Sequence, residues 1–163
     1  MAVLAPHTRE NPEPDPLRIW FRFVRLHRRA SNAVANELKA IGLSIPQFDL
    51  LSTLTEQEGV SQQELAERLY VTKGNVSGLL DRMVEASLVE RRPIPSDRRS
   101  NALFLTAKGR DLAERGMAAQ RAYVARTLGR LHASDLADLE RIVLAWRDRA
   151  RMAEDEPEAR AEL

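Results

Sequence analysis

The sequence predicts a mainly α-helical chain that carries one small β-hairpin. Three observations support this. Apolar residues recur at helical spacing over most of positions 17–151. Ser or Thr stands at the head of most of these runs, in the capping position. Between positions 88 and 106 the period changes to two short runs of strand-forming residues.

The elements follow in order. Four of the eight prolines precede Leu17, so residues 1–16 read as a disordered arm. Apolar residues at 17, 20, 21, 24, 34, 35, 38 and 41 predict a long first helix, stopped by Gly42. Ser44, Pro46 and Gln47 form a capping-box start for a second helix through FDLLSTL, ending near Gly59. Ser61 and Glu64 repeat that box ahead of QQELAERL, and Thr72 caps a fourth helix, KGNVSGLLDRMVEAS. LVERRPI and NALFLT are the two strands, with Pro93 and Pro95 confining the first to an edge, and PSDRRS is the hairpin tip between them. Thr106 caps a fifth helix to about Leu131, and Ser134 a sixth to about Arg151. The remainder, residues 153–163, is an acidic tail.

Composition excludes several classes of function. The 163 residues are 44% apolar, enough for one compact domain and an added element for association. With no cysteine and only His7, His27 and His132, no thiol sensor, iron–sulfur cluster or structural zinc site is expected, and no cofactor. Neither a signal-peptide core nor a run of ~20 apolar residues is present, so a cytoplasmic protein without membrane contact is expected. No Ser-His-Asp set or phosphate-cradling glycine loop occurs at usable spacing, so the chain does not read as an enzyme. Net charge is only +1, yet residues 91–110 hold six basic side chains against the single acid Asp97.

Two helices joined by a tight turn, followed by a hairpin with a basic tip, outline a winged helix-turn-helix lobe over residues 44–110. In the fourth helix Val76, Leu79, Leu80 and Met83 share one face, while Gly74, Gly78, Asp81 and Arg82 lie opposite. Glycine there costs roughly 1 kcal/mol per residue relative to alanine, but lets the helix backbone come close to a partner. A helix in the major groove uses that closeness. Asn75 is suited to adenine and Lys73 to guanine or phosphate, with Thr72 and Ser77 beside them. Ser61 joins this expected DNA-facing set. At the hairpin tip Arg99 is the expected minor-groove residue, Asp97 its positioner, and Arg98 faces either phosphate or water. The competing reading is a solvated cap and a solvated loop.

The stretch SQQELAERLYVTKGNVSGLLDRMVEASLVERRPIPSDRRSNALFLTAKG, with Asp97-x-Arg99 ahead of Leu103-x-Leu105-Thr106-x-x-Gly109, resembles the MarR family of bacterial transcription regulators. The likeness runs from about Leu17 to Met152. It implies a homodimer built from the first helix (residues 17–43) and the last two helices (residues 106–152), with two winged lobes meeting a palindromic operator. Apolar stripes beyond the needs of one lobe, such as Trp20, Phe21, Val24 and LADLERIVLAW, agree with that expectation. The resemblance also implies a small-molecule effector in a cleft beside the dimer helices. Phe23, His27, Ser31, Phe48 and Asp49 are the residues expected to line it, although a lone histidine also suits an interface. An aromatic carboxylate, a phenolic compound or its CoA thioester is the effector class implied by the family. The expected function is a dimeric, sequence-specific regulator, a repressor, released by that effector. The alternative is a winged-helix module that binds protein without a ligand response.

Overall fold

A computed structural model of the chain describes residues 13–94 and 97–155, with the side chains of Lys73 and of residues 97–100, 154 and 155 outside that description. Most of the expected N-terminal arm, Pro95 and Ser96 of the hairpin tip, and most of the acidic tail therefore lie outside the described residues. The chain divides into two units, Met1–Gly116 and Met117–Leu163.

The first unit opens with α1, Pro16–Ala40. The helix starts one residue earlier than the sequence suggests, because Asp15 accepts the Leu17 N–H at 3.0 Å and Pro16 fits the first helical position. Gly42, in the left-handed region at φ 82°, closes it. The next helix, α2, covers Ile45–Glu56 and begins with the Ser44 N–H donating to Gln47 Oε1 at 2.9 Å. A shorter one, α3, covers Gln62–Arg68, and α4 covers Lys73–Glu85.

Two antiparallel strands follow, β1 (Val89–Ile94) and β2 (Asp97–Leu105), in a register from Val89 opposite Leu105 to Pro93 opposite Asn101. Here the structure departs from the expected hairpin tip. The register shifts between Pro93 and Ile94, and Ile94 pairs with Asp97. Arg98 and Arg99 thus belong to the backbone of β2, at an irregularity facing a proline that has no N–H to give the ladder. A third short segment, unforeseen from sequence, adds to the sheet. Gly59 N–H donates to the Leu103 carbonyl at 2.8 Å, Leu103 N–H to that of Val60 at 2.9 Å, and Ser61 bridges Ala102.

The core of this unit is apolar throughout. Leu38 of α1, Phe48, Leu50, Leu51 and Leu54 of α2, Leu65 of α3, Val76, Leu80 and Met83 of α4, and Val89, Leu103 and Leu105 of the strands are all buried. Each such side chain contributes about 1.5–3 kcal/mol by leaving water. Thr106 caps α5 (Ala107–Arg126): its Oγ1 accepts the Gly109 N–H at 3.0 Å and donates to the Ser87 carbonyl at 2.7 Å. Gly109 is required by this junction. A Cβ there would stand 1.9 Å from the Leu88 carbonyl oxygen.

The second unit holds the end of α5, a 3-10 turn at Leu128–Arg130 and α6, Ala133–Asp155. The fifth helix therefore stops five residues before the expected Leu131. Thr127 Oγ1 donates to the Tyr123 carbonyl at 2.8 Å and Arg130 N–H to that of Thr127, which tightens the chain out of the α-helical path. Helix α6 begins at Ala133, so Ser134 lies inside the helix instead of capping it.

Candidate nucleic-acid interface

The site is built on α3, the turn after it, α4 and the hairpin. Ser61 Oγ accepts the Glu64 N–H at 3.2 Å while the Ser61 N–H donates to Glu64 Oε2 at 2.7 Å. Hydrogen bonds from the Ser61 backbone and then its hydroxyl hold the Glu64 carboxyl below the usual carboxylate range. Ser61 is thus occupied in fixing the start of α3. Thr72 performs the same service for α4, its Oγ1 accepting the Asn75 N–H at 3.3 Å.

Helix α4 shows two chemically distinct faces. Val76, Leu80 and Met83 are buried, and Leu79 is half-buried. On the other side Thr72, Gly74, Asn75, Gly78, Asp81 and Arg82 are exposed, and Ser77 is intermediate. A Cβ on Gly74 would meet nothing within 4 Å; one on Gly78 would meet only Arg82 Nη1 at 3.7 Å. Within the chain, then, neither glycine is needed to relieve a clash. The side chain of Lys73 lies outside the described residues.

The hairpin is tied to this helix. Arg91 of β1 pairs with Asp81 of α4 at 2.6 Å, and Arg92 lies 4.1 Å from the centre of the Phe104 ring and also pairs with Glu90. Glu58, in the segment before α3, accepts the Leu105 N–H at 2.9 Å and pairs with Arg110 of α5 at 2.7 Å. Lys108 Nζ donates to the Ala86 carbonyl at 2.9 Å. Exposed pairs of this kind add little stability, about 0.2–1 kcal/mol each, but they fix where the hairpin sits. Four of the six basic residues at 91–110 therefore have partners within the chain. Three of these, Arg91, Arg92 and Arg110, are paired with carboxylates, so the charge excess read from sequence reduces to Lys108, Arg98 and Arg99, and the side chains of the two arginines, like that of Asp97, lie outside the described residues.

The expected effector residues are not brought together. Phe23 and His27 stack on α1 with ring centroids 6.3 Å apart and are both exposed, and Ser31 is half-buried one turn further on. Phe48 is buried in the core, where a Cβ on Gly116 would stand 2.5 Å from its ring. Asp49 faces elsewhere: it lines an open cleft of about 420 Å³ together with Pro46, Leu69, Val71, Asn75, Val76, Leu79 and Arg82. Partial burial there raises its carboxyl above the ordinary value. Sequence reasoning missed this cleft because its lining comes from α2, the turn and α4, which only folding brings into contact. Among the described residues no group of three or more His, Asp or Glu could hold a metal ion, and no helix is long and apolar enough to cross a membrane.

A capped helix pair with an outward polar face and a hairpin pinned beside it define a winged helix-turn-helix lobe. The MarR family profile matches residues 43–100, which span this lobe from the end of α1 into β2. HTH-type transcriptional repressor Rv2887 of Mycobacterium tuberculosis is 36% identical over 110 residues, covering 68% of this chain and 79% of that protein. Among solved structures, AbsC, a MarR family transcriptional regulator from Streptomyces coelicolor, superposes with a TM-score of 0.75 at 25% identity, covering 83% of this chain and 93% of AbsC. The transcriptional repressor CouR, bound to a 23-mer DNA duplex, gives 0.70 at 28% identity over 80% of this chain and 92% of its own. The chain belongs to the MarR family and is a transcription regulator, in a family of regulators rather than enzymes.

Proposed function

We propose that the protein is a cytoplasmic homodimeric repressor that holds a palindromic operator through two copies of α4 and the hairpin, and releases it on binding a small molecule. In this reading residues 44–110 bind DNA, and residues 17–43 and 106–152 join two chains. The observation that carries it is the outward face of α4. Gly74 and Gly78 leave the backbone open, while Thr72, Asn75 and Arg82 offer donors to bases and phosphates. Lys73 and Ser77 act on the same helix, with Ser61 holding α3 at its entry. Arg99, oriented by Asp97, enters the minor groove, and Arg98 faces either phosphate or water. The repressor relatives and the DNA complex of CouR support the reading.

The effector acts at the cleft beside α4. An aromatic carboxylate or phenol would lay its ring on Leu69, Val71 and Leu79, with its carboxylate or hydroxyl oxygen accepting from Arg82. Because Asn75 and Arg82 also belong to the DNA face, a ligand there binds the free and DNA-bound states unequally, as release requires. Phe23, His27 and Ser31 lie on α1, and in this reading they would face a bulkier compound such as a CoA thioester only once a second chain covers that helix.

The test is a salt titration of duplex binding, with the duplex recovered by selection from randomised DNA. Several phosphate contacts predict a steep fall of log affinity with log salt. A flat response would return the lobe to the role of a protein-interaction module. Adding aromatic acids to the preformed complex should release the duplex, and Arg82→Ala, which also weakens the duplex contact and is therefore compared at protein concentrations that saturate the duplex, should abolish that release.

A further inference from the structure

Three helices of the first unit end in the same backbone motif. At the end of α1, Leu43 N–H donates to the Leu38 carbonyl and Gly42 N–H to that of Lys39. At the end of α3, Val71 N–H donates to Ala66 and Tyr70 N–H to Glu67; at the end of α4, Leu88 donates to Met83 and Ser87 to Val84. Each is a Schellman closure, whose central residue must take a left-handed backbone. Gly42, Tyr70 and Ser87 do so, with φ of 82°, 53° and 57°.

Glycine suits that position, and a bulky side chain there is strained. Ser87 is tied into the fold by its carbonyl, which accepts the Thr106 hydroxyl at 2.7 Å. Tyr70 is different. It is 88% exposed, so the aromatic ring gains no burial within the chain. Its neighbours are engaged: Leu69 and Val71 line the cleft, and Thr72 caps α4. A strained backbone carrying a solvated ring therefore stands two residues before Thr72, the N-cap of α4, a helix with no acidic residue in its first turn.

We infer that Tyr70 is a DNA-backbone contact, its phenol hydroxyl donating to a phosphate oxygen beside the groove entered by α4. This rests on the DNA reading above. A phenol is well suited to the task, because it offers a donor on a rigid ring with little side-chain freedom to lose. The surroundings favour a polyanion over a protein partner. On the α4 side of Tyr70 the exposed residues are the small and polar Thr72, Gly74 and Asn75, which suit close approach to a phosphate chain, while the exposed Val71 belongs to the cleft wall with Leu69.

The experiment uses the full chain and two variants, Tyr70→Phe and Tyr70→Gly, on the duplex selected by the parent, with anisotropy titrations at several salt concentrations and a thermal melt of each protein. Both variants should bind about 3- to 10-fold more weakly for each half-site, about 10- to 100-fold for the palindrome as a whole, and equally so on mismatched duplexes. The salt slope should stay unchanged, because a neutral phenol displaces no counterion. Tyr70→Gly should melt at or above the parent temperature, since it relieves the strained backbone, so its weaker binding is not a folding defect. Parent-like binding by both variants would overturn the inference, and so would parent-like binding by Tyr70→Phe alone, because the hydroxyl would then be idle. A parent protein with a flat salt response would instead overturn the DNA reading beneath it.

Discussion

Helix α4 and helix α6 both turn a face to solvent, and the two faces could hardly differ more. On α4 the exposed side carries Gly74, Asn75, Gly78 and Arg82; on α6 it carries Leu136, Leu139, Ile142, Val143 and Leu144, between 36% and 51% exposed. All the fully buried apolar side chains among the described residues lie between Leu38 and Ala113, so the second unit has none of its own. A lean polar face is built to approach something charged and closely packed, whereas an apolar face needs cover from water. The difference accords with the two partners proposed above, nucleic acid for α4 and a second copy of the chain for α6.

The comparison breaks hardest on α6. Replacing Leu139 and Ile142 together by Glu should split the proposed dimer at micromolar concentration, since bringing carboxylates against apolar surface costs several kcal/mol. Light scattering on the purified variant checks this, and an unchanged dimer would remove α6 from the interface. A smaller effect sharpens the view of α4. Leu80→Ala on the buried face should lower stability by about 2–5 kcal/mol. Gly74→Ala on the exposed face should raise it by up to about 1 kcal/mol. Yet Gly74→Ala should weaken duplex binding, because the new methyl meets only the partner. A variant that gains stability and keeps its affinity would show that α4 does not come close to DNA.

The smallest effect concerns the entry to α3. The Glu64 carboxyl is held below its ordinary value, so the folded state favours its charged form. That contribution is present at neutral pH and fades as pH falls through the ordinary carboxylate range toward the lower folded value. Glu64→Gln should therefore flatten the acid limb of the stability curve, read by melting between about pH 6 and pH 3. An unchanged pH profile would mean that the capping box carries no charge dependence.

Much of the lobe was legible because its signals are local. The Ser61–Glu64 box, the Thr72 and Thr106 caps and the Gly42 stop all act over three or four residues, and each stands where its residue types place it. The same reasoning failed at Thr127, where a threonine normally neutral in a helix used its hydroxyl to end one. It failed too for the basic stretch at 91–110. Arg91 is met by Asp81, ten residues away, and Arg110 by Glu58, fifty-two residues away, and no spacing rule announces such pairs.

Amphipathic period and capping chemistry, both written in neighbouring residues, were enough to establish a helical chain with a hairpin, the two faces of α4 and the resemblance to one family of regulators. Only the folded chain decided which arginines are already engaged, that Phe48 belongs to the core while Asp49 opens onto a cleft, and that Tyr70 holds a left-handed turn in full contact with water. The reason is one of range. Helix and cap energies are settled within a turn of the chain, whereas ion pairs, cavities and the strain tolerated at a turn depend on residues that meet only after the core has closed.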